Sequence, residues 1–370
     1  MEFLNLVSYV RSHVHSEDHS YRWPNQGLHE LKLRVSLGAI HDSAERHPPP
    51  NCHPDTRKAV KQIILDWIHT ESSTSSFFWL YGPAGAGKTA ILQAIAEFLC
   101  SPSETGHHDD FGGSFFFSRG KNGRDQGYFL FSTIAYQLAL KVPGLRQHVN
   151  RIMELNPTLH TKSMDVQLQT LIVDAFQYLS PLPQHSYLII IDGLDECQDR
   201  SDQQSILRLL CETITLHKLP LRFLIGSRPE FHIRDSFDQE SLYTITRRVV
   251  LDETFDPGRD IQVFLQDGFA NICSKNPILS HVKQPWPEEG IIDLLVQRSS
   301  GHLRCYCPQI CWCRFLQSKE TACACIEARS LGIFGPRPIV HPNLIRLSKH
   351  SEHCPSSGNH RCMRWEIRGD

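Results

Sequence analysis

Short apolar segments alternate with helix-like segments along the middle of the chain. Residues 77–81, Phe-Phe-Trp-Leu-Tyr, form a continuous apolar run that predicts a buried strand, and residues 89–99 predict an apolar helix. Further strands are predicted at 111–118, 187–191, 221–225 and 243–251, and further helices at 128–140, 166–179, 206–216 and 260–273. Strands that alternate with helices in this way predict an α/β fold with a mostly parallel sheet, covered by helices on both faces.

The pattern is different before the first strand. Apolar residues recur at helical spacing over 56–68, where Val60, Ile63, Ile64 and Trp67 share one face and Thr56 is the expected N-cap. Residues 1–37 show no clear period, and we interpret them as an N-terminal extension. The sequence shows no self-similarity at a period of 20–50 residues, so it does not predict a repeat array.

The pattern also changes after residue 301. Eight of the 13 cysteines lie in the last 70 residues, and six of them form three C-x-C pairs between Cys305 and Cys325. One interpretation is a metal-binding domain, although zinc sites usually contain C-x₂-C spacing. The other is an out-of-frame translation: with freely chosen synonymous codons, residues 334–343 read one base later encode the helix-like sequence Ser-Asp-Leu-Asp-Gln-Leu-Tyr-Thr-Gln-Ile. With few acids and no period, residues 302–370 are predicted to form an irregular, disordered tail.

Overall composition narrows the function classes. The 370 residues are 40% hydrophobic and carry a formal net charge of −2, which does not favour nucleic acid as a partner. Apolar runs are too short to cross a bilayer, and residues 1–19 lack a secretory core, so no membrane partner is expected. The five cysteines before residue 300 are scattered, as in reduced cytoplasmic proteins. We therefore expect a cytoplasmic location.

The loop after the first predicted strand carries the clearest chemistry. Its sequence Gly82-Pro83-Ala84-Gly85-Ala86-Gly87-Lys88-Thr89 fits G-x-x-x-x-G-K-[ST], the phosphate-binding loop of nucleotidases. Its glycines let backbone N–H groups surround a phosphate, and the helix that starts here, through Ala90, adds its positive end. Lys88 would contact the β- and γ-phosphates, and the Thr89 hydroxyl would hold Mg²⁺.

A second motif, rich in acidic residues, follows the central predicted strand. In Ile191-Asp192-Gly193-Leu194-Asp195-Glu196, Asp192 stands where a carboxylate can hold Mg²⁺ through water. Asp195 or Glu196 could then orient or deprotonate an attacking water. The alternative is an ordinary acidic turn before a helix, where acids are also favoured.

An arginine follows the next predicted strand, in Gly226-Ser227-Arg228-Pro229-Glu230. The end of this strand would lie beside the γ-phosphate, so Arg228 could stabilise charge there; the alternative is a surface arginine before a proline. Arg119, at the end of the strand predicted over 111–118, could face the same crevice.

Together these motifs resemble a known family. The Walker A loop, the Asp-Gly-Leu-Asp-Glu form of Walker B at 192–196 and Ser-Arg-Pro at 227–229 resemble NACHT-type P-loop NTPases of the STAND class, in particular basidiomycete fungal proteins with a nephrocystin-3-like N-terminal module. Residues 38–46 (Gly-Ala-Ile-His-Asp-Ser-Ala-Glu-Arg), 52–57 (Cys-His-Pro-Asp-Thr-Arg), 115–119 (Phe-Phe-Phe-Ser-Arg) and 134–138 (Ile-Ala-Tyr-Gln-Leu) are similar to segments of those proteins.

The resemblance covers about residues 38–301 and implies a domain plan. A lead-in helix over 56–69 would precede a nucleotide core at 76–251 and the start of a helical lid at 258–301. The resemblance also implies a switch that rests with ADP, exchanges it for ATP, self-associates and signals through attached domains. The C-terminal sensor repeats and the winged-helix segment that helps to hold ADP in this family are not detectable here.

The sequence therefore leaves three functions open. The first is a signalling switch that binds ATP, or GTP, with Mg²⁺ and hydrolyses it slowly. The second is a nucleotide-binding scaffold or truncated remnant without catalysis. The third is a small-molecule or nucleotide kinase. It is disfavoured because the acidic motif at 192–196 with Ser-Arg-Pro at 227–229 is a water-activating arrangement, and no acceptor-substrate motif is visible.

Overall fold

A parallel β-sheet forms the core of the described residues. The computed structural model describes residues 25–53, 56–70, 75–101, 110–252, 255 and 257–275, with isolated positions 290, 292–293 and 296–297. Within these ranges, five strands make one sheet in the order β2-β3-β4-β1-β5, and every neighbouring pair is parallel. The strands are β1 (Phe77–Tyr81), β2 (Phe111–Phe116), β3 (Tyr187–Asp192), β4 (Leu221–Ser227) and β5 (Thr246–Val250).

Helices connect the strands. They are α1 (Gln26–Lys32), α2 (Lys58–His69), α3 (Lys88–Cys100), α4 (Phe129–Lys141), α5 (Leu145–Leu155), α6 (Met164–Leu168, a π turn Gln169–Val173, then Asp174–Gln177), α7 (Arg200–His217), α8 (Phe231–Asp238), α9 (Glu240–Tyr243) and α10 (Pro257–Lys275). Short 3₁₀ turns lie at Leu37–Ala39, Ala44–Arg46, Leu159–Thr161 and Leu194–Glu196.

Both faces of the sheet are buried, as the continuous apolar strands predict. Because side chains alternate along a strand, Phe77 and Trp79 of β1 join one apolar cluster and Phe78 and Leu80 join the other. The first cluster contains residues of α1 and α4–α9, and the second contains residues of α2 and α3. The predicted α/β fold with a doubly covered parallel sheet is confirmed.

Two local predictions were wrong. Thr56 does not cap α2: its hydroxyl donates to the His53 carbonyl at 2.9 Å, and Arg57 occupies the N-cap with a left-handed φ of 56°. The strand predicted over 243–251 is shorter, because Tyr243 ends α9 and β5 begins at Thr246. The same apolar residues serve a helix and a strand, so periodicity did not place the boundary.

Several helices were missed in the sequence analysis. One of them, α1, lies within the segment interpreted as an extension, where it buries Leu28 and Leu31 and packs against α5. Gly27 makes this approach possible, since a Cβ there would overlap the backbone of Asn150. Helices α1, α8 and α9, with four to eight residues, carry too few turns to show a period. The 11-residue α5 was also missed, although Leu145, Val149 and Met153 recur at helical spacing and are buried.

Some predictions lie outside the described residues. They include the tail at 302–370 with its C-x-C cysteines, residues 1–24 and most of the lid beyond α10. Four cysteines within the described ranges, Cys52, Cys100, Cys197 and Cys211, are free thiols. None of the helices in the described part of the chain has the length and hydropathy needed to span a bilayer.

Candidate nucleotide-binding site

The glycine-rich loop lies between β1 and α3, as predicted. Gly85 and Gly87 have positive φ values of 80° and 94°, which glycine adopts without strain. The first intrahelical bond of α3 runs from the Ile91 N–H to the Gly87 carbonyl, at 3.0 Å. The N–H groups of Lys88, Thr89 and Ala90 therefore have no partner within the helix. They form the positive N-terminal end of α3. This geometry suits an anion.

Lys88 lies across the loop it follows. Its Nζ donates to the carbonyl oxygens of Gly82, at 2.7 Å, and Pro83, at 2.9 Å. Burial lowers the pKa of the Lys88 ammonium, while the carboxylates of Asp195 and Asp192 oppose that shift. The ammonium is thus held beside the loop and faces the acidic turn across the sheet edge.

Asp192 is the most strongly perturbed acid of the site. It ends β3, is 3% exposed and has the Thr89 side chain beside it. Burial raises its pKa to about 6, and Thr89 together with the cations Arg46 and Lys88 opposes the shift. Its Oδ1 is buried without a hydrogen-bond partner. Space beside it exists because residue 226 is glycine: a Cβ there would lie 2.6 Å from Oδ1.

The residues around Asp192 fit a magnesium ion. A hydroxyl and a carboxylate are hard oxygen ligands, and Mg²⁺ in nucleotide sites uses one or two protein oxygens together with waters and phosphates. The unpartnered Oδ1 of Asp192 next to Thr89 supplies such a set. Within the described residues, no group of three or more His, Cys, Asp or Glu side chains could hold a metal by itself.

A tight turn carries the remaining acids past the end of β3. Gly193 has a φ of 68°, and the 3₁₀ turn Leu194–Glu196 follows. Within this turn Asp195 is 3% exposed. Its Oδ1 accepts from the Arg228 backbone N–H at 2.9 Å, and its Oδ2 lies 3.2 Å from Arg228 Nε. The structure therefore brings Asp195 and Arg228 together, with both oxygens of the carboxylate engaged.

Glu196 faces the end of β2. Its Oε2 accepts from the Arg119 backbone N–H at 3.2 Å, while the Arg119 guanidinium donates to the Asp195 carbonyl at 2.8 Å. Arg119 is exposed and braces the turn with these contacts. Of the two acids proposed to activate water, Glu196 has fewer competing contacts with cationic side chains.

The position of Arg228 is fixed by the strand before it. Ser227 is fully buried, and its hydroxyl accepts from the indole N–H of Trp79 on β1, at 2.9 Å. Trp79 in turn stacks on Phe237 of α8, with ring centroids 4.2 Å apart. The two buried contacts hold the end of β4, so the Arg228 side chain starts from a rigid backbone.

Arg57 is a site residue that sequence reasoning did not identify. Its side chain is 7% exposed, and its Nη2 donates to the Ala86 carbonyl of the phosphate loop at 3.1 Å. Its Nε lies 3.2 Å from Oδ2 of Asp260 on α10, and its Nη1 is buried without a hydrogen-bond partner. The only sequence signal was its place in the Cys-His-Pro-Asp-Thr-Arg segment.

A cavity of about 510 Å³ opens beside Arg57. It lies between the first turns of α2 and α10 and combines apolar and charged groups. The lining residues are Arg57, Lys58, Ala59, Val60, Phe255, Arg259, Asp260 and Val263. Arg57 lines this cavity and also bonds to the phosphate loop, so the cavity adjoins the loop.

Comparisons with known proteins show only distant similarities. Among curated proteins, none matches the sequence significantly. One matching solved structure is the ORC2 protein of Aeropyrum pernix, determined as ADPNP-ADP complexes; it is 15% identical with a TM-score of 0.34, and the match covers 62% of this chain and 55% of that one. So remote a likeness carries no functional argument. A family model described as Nephrocystin 3, N-terminal matches residues 60–228, a span that runs from α2 to Arg228 and contains the phosphate loop and Asp192.

Proposed function

We propose that this protein binds a nucleoside triphosphate, ATP or GTP, together with Mg²⁺. One observation carries the proposal: the loop at residues 82–89 and the buried carboxylate of Asp192 meet at the same edge of the sheet, where Lys88 and Thr89 of the loop both act on that carboxylate. Two separate motifs thus form one site.

The phosphates would lie against the N–H groups at the start of α3, with Lys88 beside the β- and γ-phosphates. Thr89 and Asp192 would hold Mg²⁺, which neutralises phosphate charge when bound. The cavity at Arg57 adjoins the loop and offers apolar walls at Val60 and Phe255. A base and ribose would fit there.

Hydrolysis, the second part of the proposal, would use the acids after β3. Glu196 would position or deprotonate water, since both oxygens of Asp195 already contact Arg228. The half-exposed Arg228 would stabilise charge that develops on the γ-phosphate. We expect slow turnover, as in a regulated switch.

The biological role we propose is that of a NACHT-type switch of the STAND class. Residues 38–301 would form the nucleotide module and self-associate when loaded with ATP, and partners would be proteins rather than nucleic acid or membrane. The rival is a scaffold, or the remnant of such a switch, that holds nucleotide without hydrolysis.

Three proteins separate the switch from the scaffold: wild type, Lys88→Ala and Glu196→Gln. We expect Lys88→Ala to lose ATP binding and Glu196→Gln to bind ATP but release no phosphate. Binding by the wild type without phosphate release would favour the scaffold, and a wild type that binds neither ATP nor GTP would overturn the proposal.

A further inference from the structure

A second buried arginine, Arg46, lies behind the proposed magnesium site. It ends the 3₁₀ turn Ala44–Arg46 and is 8% exposed. Its guanidinium carbon lies 3.6 Å from the centre of the Phe116 ring, and its Nη2 donates to Oε1 of Gln93 at 2.6 Å. Arg46 therefore contacts both the sheet and α3.

Both contacts of Arg46 adjoin Asp192. Phe116 ends β2 and pairs in register with Asp192, which ends β3. Both side chains point to the face of the sheet that α3 covers, because Phe116 and Ile190 belong to that apolar cluster and side chains alternate along β3. Neighbouring strands lie about 4.8 Å apart, so Phe116 is the immediate lateral neighbour of Asp192.

The second contact of Arg46, with Gln93 on α3, also lies close to Asp192. Gln93 follows Thr89 by four residues on α3, so the two side chains share one face of the helix. The Thr89 side chain lies beside Asp192, and Oε1 of Gln93 accepts the hydrogen bond from Arg46. The Gln93 nitrogen also donates to the His41 carbonyl at 3.0 Å, which ties the segment before Arg46 to α3.

Arg46 and Asp192 also interact through their charges. The Nε of Arg46 and the Oδ1 of Asp192 are both buried, and neither has a hydrogen-bond partner. Asp192 is the chief charge that stabilises the Arg46 cation, whose pKa burial lowers to about 10; Glu97 acts in the same sense and Arg124 against it. Lys88 and Glu196 are the other charged groups that face Asp192.

We propose that Arg46 is a positioning residue for the magnesium site, whose charge helps to hold the Asp192 carboxylate in place. The assignment rests on the proposed nucleotide binding. It gives residues 38–46 a function: they carry a cation to the α3 side of the sheet, near the carboxylate proposed to hold the metal. Residue 46 lies outside the matched span 60–228.

The test separates metal positioning from general stability. Affinity for N-methylanthraniloyl-ATP is measured in EDTA and in Mg²⁺ for wild type, Arg46→Met and Arg46→Lys. We expect Arg46→Met to reduce the gain in affinity conferred by Mg²⁺ about tenfold, the usual size of effects behind a metal ligand, with affinity in EDTA within twofold of wild type. Arg46→Lys should recover part of that gain.

Arg222→Met is the matched control. Arg222 is an equally buried arginine beside an aromatic ring, and it donates to the carbonyls of Trp67, Ile68 and Thr70 near the opposite end of the sheet. Its loss should lower the melting temperature and leave the Mg²⁺ gain unchanged.

A double-mutant cycle completes the experiment. In the Asp192→Asn background, Arg46→Met should have no further effect on the Mg²⁺ gain, because the group it positions is gone. Equal losses in EDTA and in Mg²⁺, or an undiminished effect in the Asp192→Asn background, would overturn the assignment alone. A wild type that binds no nucleotide would instead overturn the proposed function, and the assignment with it.

Discussion

Both carboxylate oxygens of Asp195 are committed to Arg228. Oδ1 accepts the backbone N–H at 2.9 Å and Oδ2 lies 3.2 Å from Nε, while Asp195 itself is buried and Arg228 is 44% exposed. The buried Asp195 thus fixes the backbone and the inner part of the Arg228 side chain, and the outer part of Arg228 remains accessible. In the reaction that we propose, Asp195 would aim Arg228, and Glu196 would be the acid available for water.

This pairing predicts a shared kinetic defect. Arg228→Ala and Asp195→Asn should each lower phosphate release from saturating ATP about 100-fold, the usual loss when one preorganised charge is removed, with ATP affinity nearly unchanged. The double variant should be no worse than either single one. Arg234→Ala, an exposed arginine on α8, is the control. A normal rate in Asp195→Asn would refute the pairing's role.

Asp192 predicts a pH-dependent cost in stability. Its pKa is raised from 3.8 to about 6, so the folded protein retains this proton where the unfolded chain has lost it. The stability that protonated Asp192 confers is complete below about pH 4 and is lost as the pH rises through 6. In EDTA, Asp192→Asn should therefore raise the free energy of unfolding by up to about 3 kcal/mol at pH 7.5 and by little at pH 4.

Urea denaturation at both pH values checks this expectation, with the linear slope as a test for two-state unfolding. A variant that is less stable than wild type at pH 7.5 would contradict the account of Asp192 as a desolvated carboxylate.

Gly226 and Gly268 predict opposite results for the same substitution. A Cβ at residue 226 would lie 2.6 Å from Asp192 Oδ1 and would also overlap Leu92, whereas one at residue 268 would meet nothing within 4 Å. Gly226→Ala should cost about 1–3 kcal/mol by overpacking and weaken Mg²⁺-dependent ATP binding. Gly268→Ala, inside α10, should stabilise by about 0.5–1 kcal/mol. Thermal unfolding with and without Mg-ATP measures both, and equal effects would contradict the packing argument.

Two acids of α10 predict unequal effects. Asp260 pairs with the buried Arg57 at 3.2 Å, and Asp267, 62% exposed, pairs with His53 at 2.8 Å. Asp260→Ala leaves a charge buried and should cost about 3 kcal/mol, whereas Asp267→Ala should cost less than about 1 kcal/mol. Chemical denaturation of both variants decides, and similar costs would mean that Arg57 gains little from α10.

The sequence predicted the elements that have a strong local signature. Apolar runs and motif spacing predicted the strand before Gly82, the loop at 82–89 and the placement of Asp192. A buried parallel strand is a continuous run of apolar residues, so it can be recognised locally. The helices α1, α8 and α9 are too short for periodicity and are stabilised by tertiary packing.

The remaining site residues depend on contacts between distant segments. Arg57 meets Asp260 across 203 positions and Arg46 meets Gln93 across 47. Nothing local in the sequence marks a buried arginine as the partner of a particular carbonyl or carboxylate. The β5 boundary was misjudged for a related reason, because Leu242 and Tyr243 have the apolar character of a strand but are in α9.

Equilibrium binding of labelled ATP tests the central claim most directly. Purified protein is titrated in Mg²⁺, with Lys88→Ala as the test variant and Lys162→Ala, an exposed lysine before α6, as its matched control. Saturable binding by wild type and Lys162→Ala, lost in Lys88→Ala while its melting temperature is retained, is the predicted result. Equal affinity for all three proteins, or no binding by the wild type, would contradict the account.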